Sequence, residues 1–575
     1  MERTPRMIRN AAVARQTAAE SMVLLKNVNN TLPLVPAGDE PLPVAVFGVG
    51  QIRTVKGGTG SGEVNSVGNL NILDGLSQCA ALAPDELLAR KYRTWCLEHK
   101  DRTKGNFLLP TVHHNEEMPL ADVDLPALAG TCAAAILVIS RTAGEGADMQ
   151  YEPGTLALTE EETAMIRAVC AAFDKTVLVL NTPGYVELAD VLPGLSAAIF
   201  IGLPGQEGGA ALADVLTGAV PPSGHLSDTW PIRYADYANA AYYGGGPSNG
   251  IQHKGMFGLQ EQINVSYADD IYVGYRYFDT FGLAVQFPFG YGLTYGAPAL
   301  AECAMGYAGG RVTVTARVEN ASEAYPCREV VQVYLSLPQG RLEQPYAKLA
   351  AFQKTGTLEP GGAQTVTLEF DLADLAGYDE QGAAYVLEAG YYDVRVGFSS
   401  RDTQVAGSVY LPKDVTTLKL SNRIADRVKQ QLQKIGLTPE EWGGDIVCCE
   451  GSGKSGQGVE NLLEMMLLQA DVMELAANPD RRANGYVIES ELEQGFGPTA
   501  TMLVTGGTLK VGDAILVGEY FGKIRSLIDD CGRRIKSAGP ATPVKCTGLS
   551  GVPEAGAEFR VMLDEKRART LAEDA

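Results

Sequence analysis

The chain has 575 residues, of which 45% are hydrophobic and 20% are charged, and this composition is typical of a globular protein and excludes a disordered or fibrous one. The formal net charge of -22 argues against nucleic-acid binding through phosphate neutralisation. The ten cysteines show no Cys-x-x-Cys pair and no metal-ligand spacing, and no apolar run approaches the ~20 residues that span a bilayer. We therefore expect a cytoplasmic protein of several domains, without metal, cofactor or membrane contact.

The first segment, residues 1–235, alternates short apolar runs with helical patterns. Between the second and third runs, Thr159 and Glu162 form a capping-box pattern that predicts the start of a helix. This alternation predicts an α/β sandwich with a mainly parallel sheet. The apolar runs have the length of buried parallel strands and cover residues 44–48, 133–139, 177–180 and 198–201.

Two glycine-rich loops follow strands of this predicted sheet. Residues 57–62 come after the first apolar run, and glycines flank Glu145 after the second. Ligands collect at the carboxyl ends of parallel strands, and glycine lets the backbone approach a ligand closely. From spacing alone, however, an ordinary surface turn with a solvated carboxylate is the commoner explanation. Residues 57–62 also lack the pattern of a phosphate-binding loop.

Longer motifs are more specific. In chain order they read AAESMVLLKN at 18–27, GGTGSG at 57–62, GEGAD at 144–148, PGQEGG at 204–209, SGHLSDTWP at 223–231, IYVGYRY at 271–277 and FPFGYG at 287–292. With these motifs, about residues 1–415 resemble glycoside hydrolase family 3, the β-glucosidase family. The chain begins with the sandwich domain, and this domain order resembles the circularly permuted branch of that family, in which the catalytic barrel follows the sandwich domain.

The resemblance implies retaining hydrolysis of a β-glucoside or related oligosaccharide by two carboxyl groups on different domains. Glu145 matches the general acid/base, and Ser61 matches a loop residue that reaches toward the sugar. The sequence contains no Ser-Asp-Trp motif, which would carry the nucleophile, and no eightfold β/α pattern. We therefore expect no TIM barrel in this chain, and very weak or no hydrolysis unless a separate barrel chain supplies the nucleophile.

Three further features lie near these motifs. The family usually carries arginine directly after the Asp of the acid/base loop, whereas Met149 follows Asp148 here. Asp148 and Glu207 are interpreted as hydrogen-bonding supports of their loops. Residues 113–117 contain two histidines and two glutamates, and we interpret them as an exposed polar loop because no further metal ligand lies at an informative spacing.

A connecting segment, 236–310, leads to residues 311–415, where apolar and polar residues alternate. Period-two patterns separated by glycine-rich turns predict an antiparallel β-sandwich. Residues 343–346 and 378–379 resemble the fibronectin type III-like domain of the same hydrolase family. We expect this domain to stabilise the protein without carrying catalytic residues. The alternating stretches cover 312–318, 331–335, 366–370 and 392–396.

Motifs of another kind follow: PEEWGGD at 439–445, LLEM at 462–465 and LSGVPEAG at 549–556. With them, about residues 426–573 resemble bacterial translation initiation factor two. The resemblance implies the end of a G domain over 426–480 and a small β-barrel over 481–565. Ser452-Gly453-Lys454 occupies the place of a loop that contacts guanine, but no P-loop, switch motif or Asn-Lys-x-Asp is present. We expect no GTP binding.

The sequence thus predicts a multidomain protein that is α/β in its first part and all-β afterwards, and it leaves three hypotheses open. The protein is a β-glucosidase-like hydrolase with the acid/base half retained, or a translation-factor fragment that contacts the ribosome, or a fusion with neither activity intact. The joint near 420–426 favours the third hypothesis, because natural fusions usually join whole domains at linkers and this one starts within a G domain.

Overall fold

A computed structural model of the protein describes residues 3–58, 64, 66, 68–99, 102–106, 109–114, 116–142, 149, 151–241, 248–255, 258–263, 269–420, 423–444, 446–453, 456–493 and 495–573. The chain divides into two compact units, Met1–Ser421 and Asn422–Ala575. In the described residues, no helix is both long enough and apolar enough to cross a membrane.

The first unit begins with alternating helices and strands. In chain order these elements are α1 (Pro5–Ser21), β1 (Val23–Asn27), β2 (Leu42–Phe47), α2 (Ile72–Ser77), β3 (Leu82–Pro84), α3 (Glu86–Glu98), β4 (Arg102–Asn106), β5 (Leu109–His114), α4 (Leu125–Thr131), β6 (Ala134–Ser140), α5 (Glu160–Ala172), β7 (Thr176–Asn181), β8 (Ala197–Phe200) and α6 (Gly208–Leu216).

Six of these strands form one sheet in the order β1-β8-β7-β6-β2-β3. All neighbours in it are parallel except β1, which pairs antiparallel with β8 at one edge. The predicted, mainly parallel sheet is therefore confirmed, and its four central strands are those predicted from the apolar runs. The capping box at Thr159 is also present, and it begins α5.

Both faces of the sheet are covered, which explains why its central strands are apolar throughout. On one face, Phe47 and Leu137 pack with side chains of α3 and α5. On the other face, Val46 and Ile136 pack with side chains of α1, α2 and α6. All seven residues of β6 are buried. Because each fully buried aliphatic side chain contributes roughly 1.5–3 kcal/mol, these two layers provide the main stabilisation of the fold.

The polar stretch before α4 differs from its prediction as an exposed loop. Residues 109–114 form β5, which pairs antiparallel with β4, and Glu117 is buried with a relative exposure of 5%. The prediction was wrong because a polar hairpin without apolar alternation gives no strand signal, and because a buried glutamate looks like any other in a sequence.

The connecting segment and the β-sandwich complete the first unit. The elements are β9 (Trp230–Pro231), β10 (Ser248–Gly255), β11 (Gly258–Ile263), α7 (Tyr275–Thr280), β12 (Val285–Phe287), β13 (Pro298–Ala308), β14 (Arg311–Asn320), β15 (Val330–Ser336), β16 (Lys348–Lys354), β17 (Ala363–Asp371), β18 (Gly377–Asp379), β19 (Ala384–Leu387), β20 (Gly390–Gly397), β21 (Thr403–Leu411) and β22 (Val415–Lys419). Two three-stranded sheets, β13-β14-β17 and β18-β19-β22, and one four-stranded sheet, β16-β15-β20-β21, build the sandwich.

Buried polar contacts join the β-sandwich to the α/β part. The Gln332 side chain donates hydrogen bonds to the carbonyl oxygens of Gly290, at 3.0 Å, and Phe398, at 2.6 Å. His225 Nε2 lies 2.6 Å from Glu329 Oε1, and both side chains are nearly buried. Because polar groups buried at a junction are costly unless they are paired, these contacts favour one relative arrangement of the two parts.

The described residues of the second unit form two helices, a barrel and a final helix. Strands β26, β31, β23, β24, β30 and β27 close into a ring through the β26–β27 pairing, so the predicted small β-barrel is confirmed. The elements are α8 (Arg423–Lys434), α9 (Val459–Val472), β23 (Asn484–Glu493), β24 (Gly497–Gly506), β25 (Leu509–Lys510), β26 (Ala514–Val517), β27 (Tyr520–Ile528), β28 (Arg534–Ile535), β29 (Ser537–Ala538), β30 (Thr542–Leu549), β31 (Glu558–Val561) and α10 (Glu565–Glu573).

Candidate functional site

The two glycine-rich loops leave the same edge of the parallel sheet. Strands β2 and β6 are parallel neighbours, with Phe47 opposite Leu137, so the segments that follow them begin side by side. At the end of β2, Gly48 has a φ of +91°, and a Cβ there would lie 2.2 Å from the carbonyl oxygen of Val138. Only glycine lets the chain turn this close to β6.

Asn181, at the end of β7, ties the first loop to the sheet. Its side-chain oxygen accepts hydrogen bonds from the Val55 N–H, at 2.7 Å, and the Ser140 hydroxyl, at 3.1 Å. Its amide donates to the carbonyl oxygens of Val55 and Gly202. Since Asn181 is fully buried, these four bonds satisfy its polar atoms and fix the start of the loop.

Lys56 spans the same loop from one end to the other. Its ammonium group donates to the carbonyl oxygen of Val64 at 2.6 Å and to the Ser66 hydroxyl at 3.1 Å. The backbone oxygen of Lys56 accepts from the N–H of Gly205. The loop that contains Ser61 is thereby held at both of its ends.

Arg141, immediately after β6, holds the two ends of the second loop together. Its guanidinium forms two hydrogen bonds to the Glu162 carboxylate, at 2.7 and 2.8 Å, and donates to the carbonyl oxygens of Ser140 and Thr155. The two charged side chains are 5% and 7% exposed. Because Arg141 precedes Glu145 and Thr155 follows it, this buried pair closes the base of the loop.

Glu117 lies buried at the same edge of the sheet. Its carboxyl group accepts hydrogen bonds from the backbone N–H groups of Val49, at 3.1 Å, and Met118, at 2.9 Å. Burial, and to a smaller extent the nearby Glu162 carboxylate, raise the pKa of Glu117 to about 8, against the opposing effect of these N–H donors. Glu117 is therefore protonated at neutral pH and adds no buried negative charge beside Arg141 and Glu162.

The two predicted site residues, Glu145 and Ser61, lie outside the described residues, as does Asp148. The structure therefore describes the stems of both loops and not the side chains themselves. Of the other residues considered, Glu207 is buried and forms an ion pair with Arg3 at 2.7 Å. Met149 lines a cavity beside the end of β7.

Sequence reasoning missed the groups that hold these loops, namely Asn181, Arg141 and Glu117. The sequence does contain a signal for Arg141. This arginine closely follows an apolar run, and Glu162 belongs to a capping-box pattern. Nothing in the spacing of Arg141 and Glu162 shows that they are buried together. Asn181 and Glu117 carry no local signal, because their partners come from distant parts of the chain.

Family models match three parts of the chain. Residues 22–295 match the glycosyl hydrolase family 3 C-terminal domain, and residues 329–400 match the fibronectin type III-like domain. Residues 482–562 match domain 2 of elongation factor G. The matches follow one another in the order that the sequence motifs predict.

Curated translation initiation factors are similar to about a quarter of the chain, in its C-terminal part. Translation initiation factor IF-2 of Geobacillus sp. is 55% identical over 148 residues, which are 26% of this chain and 20% of the relative. The IF-2 of Clostridium botulinum is 57% identical over 148 residues, which are 22% of that protein. The chain thus spans about a fifth of the length of these relatives.

Solved β-glucosidase structures are similar to about 72% of the chain. A β-glucosidase from Paenibacillus barengoltzii is 34% identical with a TM-score of 0.65, and the match covers 72% of this chain and 45% of that one. β-Glucosidase 3B from Thermotoga neapolitana, solved with α-D-glucose, is 34% identical with a TM-score of 0.64, and 56% of it is covered. The chain spans about half the length of these enzymes.

Sequence motifs, sheet topology and comparisons agree for both units. The first unit is thus similar to the glycosyl hydrolase family 3 C-terminal domain and to the fibronectin type III-like domain, and the second unit is similar to a part of IF-2.

Proposed function

We propose that residues 1–421 are the acid/base-bearing part of a retaining β-glucosidase of glycoside hydrolase family 3. The supporting observation is the 34% identity to the Paenibacillus barengoltzii β-glucosidase across both domains of the first unit. The proposed substrate is a β-glucoside or a related oligosaccharide, and the T. neapolitana relative was solved with glucose.

Glu145 is the proposed general acid/base, and Ser61 is the proposed contact to the sugar. In a retaining reaction, a carboxylic acid protonates the leaving oxygen while a carboxylate ~5 Å away attacks the anomeric carbon. The acid then acts as a base and activates the water that releases the sugar. Arg141 supports this assignment, because it holds the two ends of the loop that presents Glu145.

The nucleophile of this scheme comes from a catalytic barrel, which the sequence motifs of this chain do not provide. We propose that a separate barrel chain supplies it and that the chain alone hydrolyses aryl β-glucosides weakly or not at all. Removing one member of a catalytic set usually costs many powers of ten in kcat.

A chimera tests the proposal. Residues 1–421 replace the matching 45% of the Paenibacillus barengoltzii β-glucosidase, and hydrolysis of an aryl β-glucoside is measured. We expect the chimera to be active and the isolated chain to be inactive. A chimera that folds, as judged by circular dichroism, and does not hydrolyse the substrate contradicts the proposal.

A second candidate function belongs to the other unit. The 55% identity to IF-2 over 148 residues supports a contact between the β-barrel and the ribosome. Co-sedimentation of residues 422–575 with 70S ribosomes tests this candidate. Retention of the barrel in the ribosome pellet, lost on adding full-length IF-2 as a competitor, is the expected result, and a barrel that stays in the supernatant contradicts it.

A further inference from the structure

A cavity of about 490 Å³ lies in the first unit, beside the end of β7. Ligand sites of proteins usually fall between 300 and 1,000 Å³ and combine aromatic walls with a few polar groups. Six aromatic side chains line this cavity, which we call the tyrosine pocket: Tyr185, Tyr234, Tyr237, Tyr272, Tyr277 and Phe278. They come from the turn after β7, from the segment after β9 and from the start of α7.

The aromatic rings hold each other in place around Tyr237. Its ring packs edge-to-face against Tyr185 at 5.8 Å, Tyr234 at 5.9 Å and Phe278 at 5.9 Å. The Tyr237 hydroxyl donates to the carbonyl oxygen of Thr229 at 3.2 Å. Such interlocked rings lose little freedom when a ligand binds, and this reduces the entropic cost of binding.

Two carboxylates and one amide complete the lining. Asp228 accepts a hydrogen bond from the Thr229 N–H at 2.7 Å, and Asn239 donates to Asp269 at 3.0 Å. Desolvation by the surrounding protein raises the pKa of Asp228. The Tyr185 hydroxyl is buried and has no hydrogen-bond partner among the described residues. The pocket therefore presents hydrogen-bond acceptors beside aromatic rings.

These groups narrow the class of ligand. No lysine, arginine or histidine is among the residues described as lining the pocket, so phosphates and carboxylates have no counter-charge there. A purely apolar ligand would cover Asp228 and Asp269 without replacing their hydrogen bonds to water, which is costly. A neutral ring with hydroxyl groups on its edge and C–H bonds on its faces satisfies both parts of the lining, because hydroxyl groups donate to carboxylates and C–H bonds contact aromatic rings.

We propose that the tyrosine pocket is an accessory binding site for a pyranose sugar, separate from Glu145 and Ser61. The choice of a sugar among neutral ring ligands rests on the proposed function. Met149, which lies shortly after Glu145 in the sequence, also lines the pocket. The site therefore adjoins the segment that returns from the acid/base loop, where it binds one sugar unit of an oligosaccharide.

Saturation-transfer NMR on the full chain tests the proposal, with methyl β-D-glucopyranoside and cellobiose as probes. We expect both sugars to bind with a Kd in the millimolar range, on the order of 1 mM for a site with few hydrogen bonds. Tyr272→Ala removes one aromatic wall, and Asp228→Asn removes a charge without changing shape. Each variant should weaken binding by roughly five- to tenfold, the factor that a lost contact of about 1 kcal/mol produces.

Matched controls make the same chemical changes elsewhere in the first unit. Tyr391→Ala alters a tyrosine that is 66% exposed on β20, and Asp374→Asn alters an exposed carboxylate of the β-sandwich. Both should leave sugar binding unchanged. Asp228→Asn keeps the volume of the side chain, so it remains informative if Tyr272→Ala fails to fold.

Several results would overturn the proposal: no binding of either sugar at tens of millimolar, binding that both pocket variants leave intact, or binding of choline in place of sugars. Choline would show that the rings and carboxylates form a cation site. Glu145→Gln separates this proposal from the proposed function. Sugar binding that is weakened by Tyr272→Ala and Asp228→Asn and unchanged by Glu145→Gln supports an accessory site, even if the chimera is inactive, whereas binding lost in Glu145→Gln places the sugar at the acid/base loop and overturns the proposal.

Discussion

Arg141 and Glu162 show how a single ion pair shapes the proposed catalytic loop. Their two parallel hydrogen bonds are buried. The Arg141 guanidinium also donates a hydrogen bond to the carbonyl oxygen of Thr155, at the other end of the loop. Burying such a pair is itself costly, and breaking it is costlier, because one charge is left without a partner. The pair therefore specifies the path of the loop more than it adds to stability.

Arg141→Met should destabilise the first unit by about 3–5 kcal/mol, because it leaves the Glu162 carboxylate buried and unpaired. Urea unfolding followed by tryptophan fluorescence measures this change. The double variant Arg141→Met/Glu162→Met should recover part of the loss.

The control for this prediction is Arg311→Met, which breaks an exposed pair with Asp371. Exposed pairs contribute little to stability, so the midpoint of unfolding should hardly move. Equal effects of Arg141→Met and Arg311→Met would show that the buried pair does not hold the loop.

Glu117 gives the first unit a pH-dependent stability. Its pKa is about 8 in the folded protein, against an ordinary value of 4.5. Between pH 4.5 and pH 8 the folded protein therefore keeps a proton on Glu117 that the unfolded chain has released. The stabilising contribution is complete below pH ~4.5 and is lost as the pH rises toward 8, by up to about 1.4 kcal/mol per pH unit.

Glu117→Gln should flatten this pH dependence between pH 5 and pH 8, since glutamine does not titrate. It should also lower stability at pH 5, because the amide cannot accept from both the Val49 and Met118 N–H groups as the carboxyl does. Thermal unfolding at pH 5, 6.5 and 8 measures both effects. Glu116→Gln is the control at an exposed neighbour, and a slope unchanged in Glu117→Gln would contradict the assignment.

At the scale of elements, apolar strands were predictable and polar ones were not. Strands β2, β6, β7 and β8 are continuous apolar runs because both faces of the sheet are covered, and the capping box marks the start of α5. The hairpin of β4 and β5 has no apolar alternation and was missed. The tyrosine pocket was missed as well, because Tyr185, Asp228 and Tyr272 come together only through tertiary packing.

Helix α9 carries many apolar residues, but the structure buries none of them. Leu463, Met466, Leu467 and Val472 are 53–71% exposed. A helix of a globular protein normally covers such residues, and large exposed apolar patches promote association. The exposed apolar side chains of α9 are therefore expected to promote self-association.

Leu467→Glu should therefore reduce self-association of the full chain, because it places a charge in the middle of this apolar surface. Light scattering over a range of protein concentrations measures the change. Val13→Glu is the control, since Val13 is similarly exposed, at 66%, on α1. An equal effect of the two substitutions would show that α9 is not the source of association.

At the scale of the whole molecule, the chain consists of two units with different relatives. The division falls between Ser421 and Asn422, within the region where the sequence changes from hydrolase motifs to translation-factor motifs. The first unit has its own core on both faces of the sheet and a second core in the β-sandwich. The barrel of the second unit has a core of its own, so the two units satisfy the usual requirement for independent folding.

Limited proteolysis should cut the chain between residues 415 and 430 and leave a stable fragment of about residues 1–421. Mass spectrometry of the fragments at increasing protease concentration locates the sites. Early cleavage scattered through the first 400 residues would contradict independent folding of the first unit.

The central claim, that Glu145 is the acid/base of a β-glucosidase site, is tested most directly by the leaving-group dependence of the chimera. Substrates with poor leaving groups need protonation most, whereas good leaving groups depart without it. Glu145→Gln should therefore reduce kcat/KM by several powers of ten for a poor leaving group such as methanol, and much less for 2,4-dinitrophenol. Equal activity of the Glu145→Gln chimera and its parent on both substrates would contradict the claim.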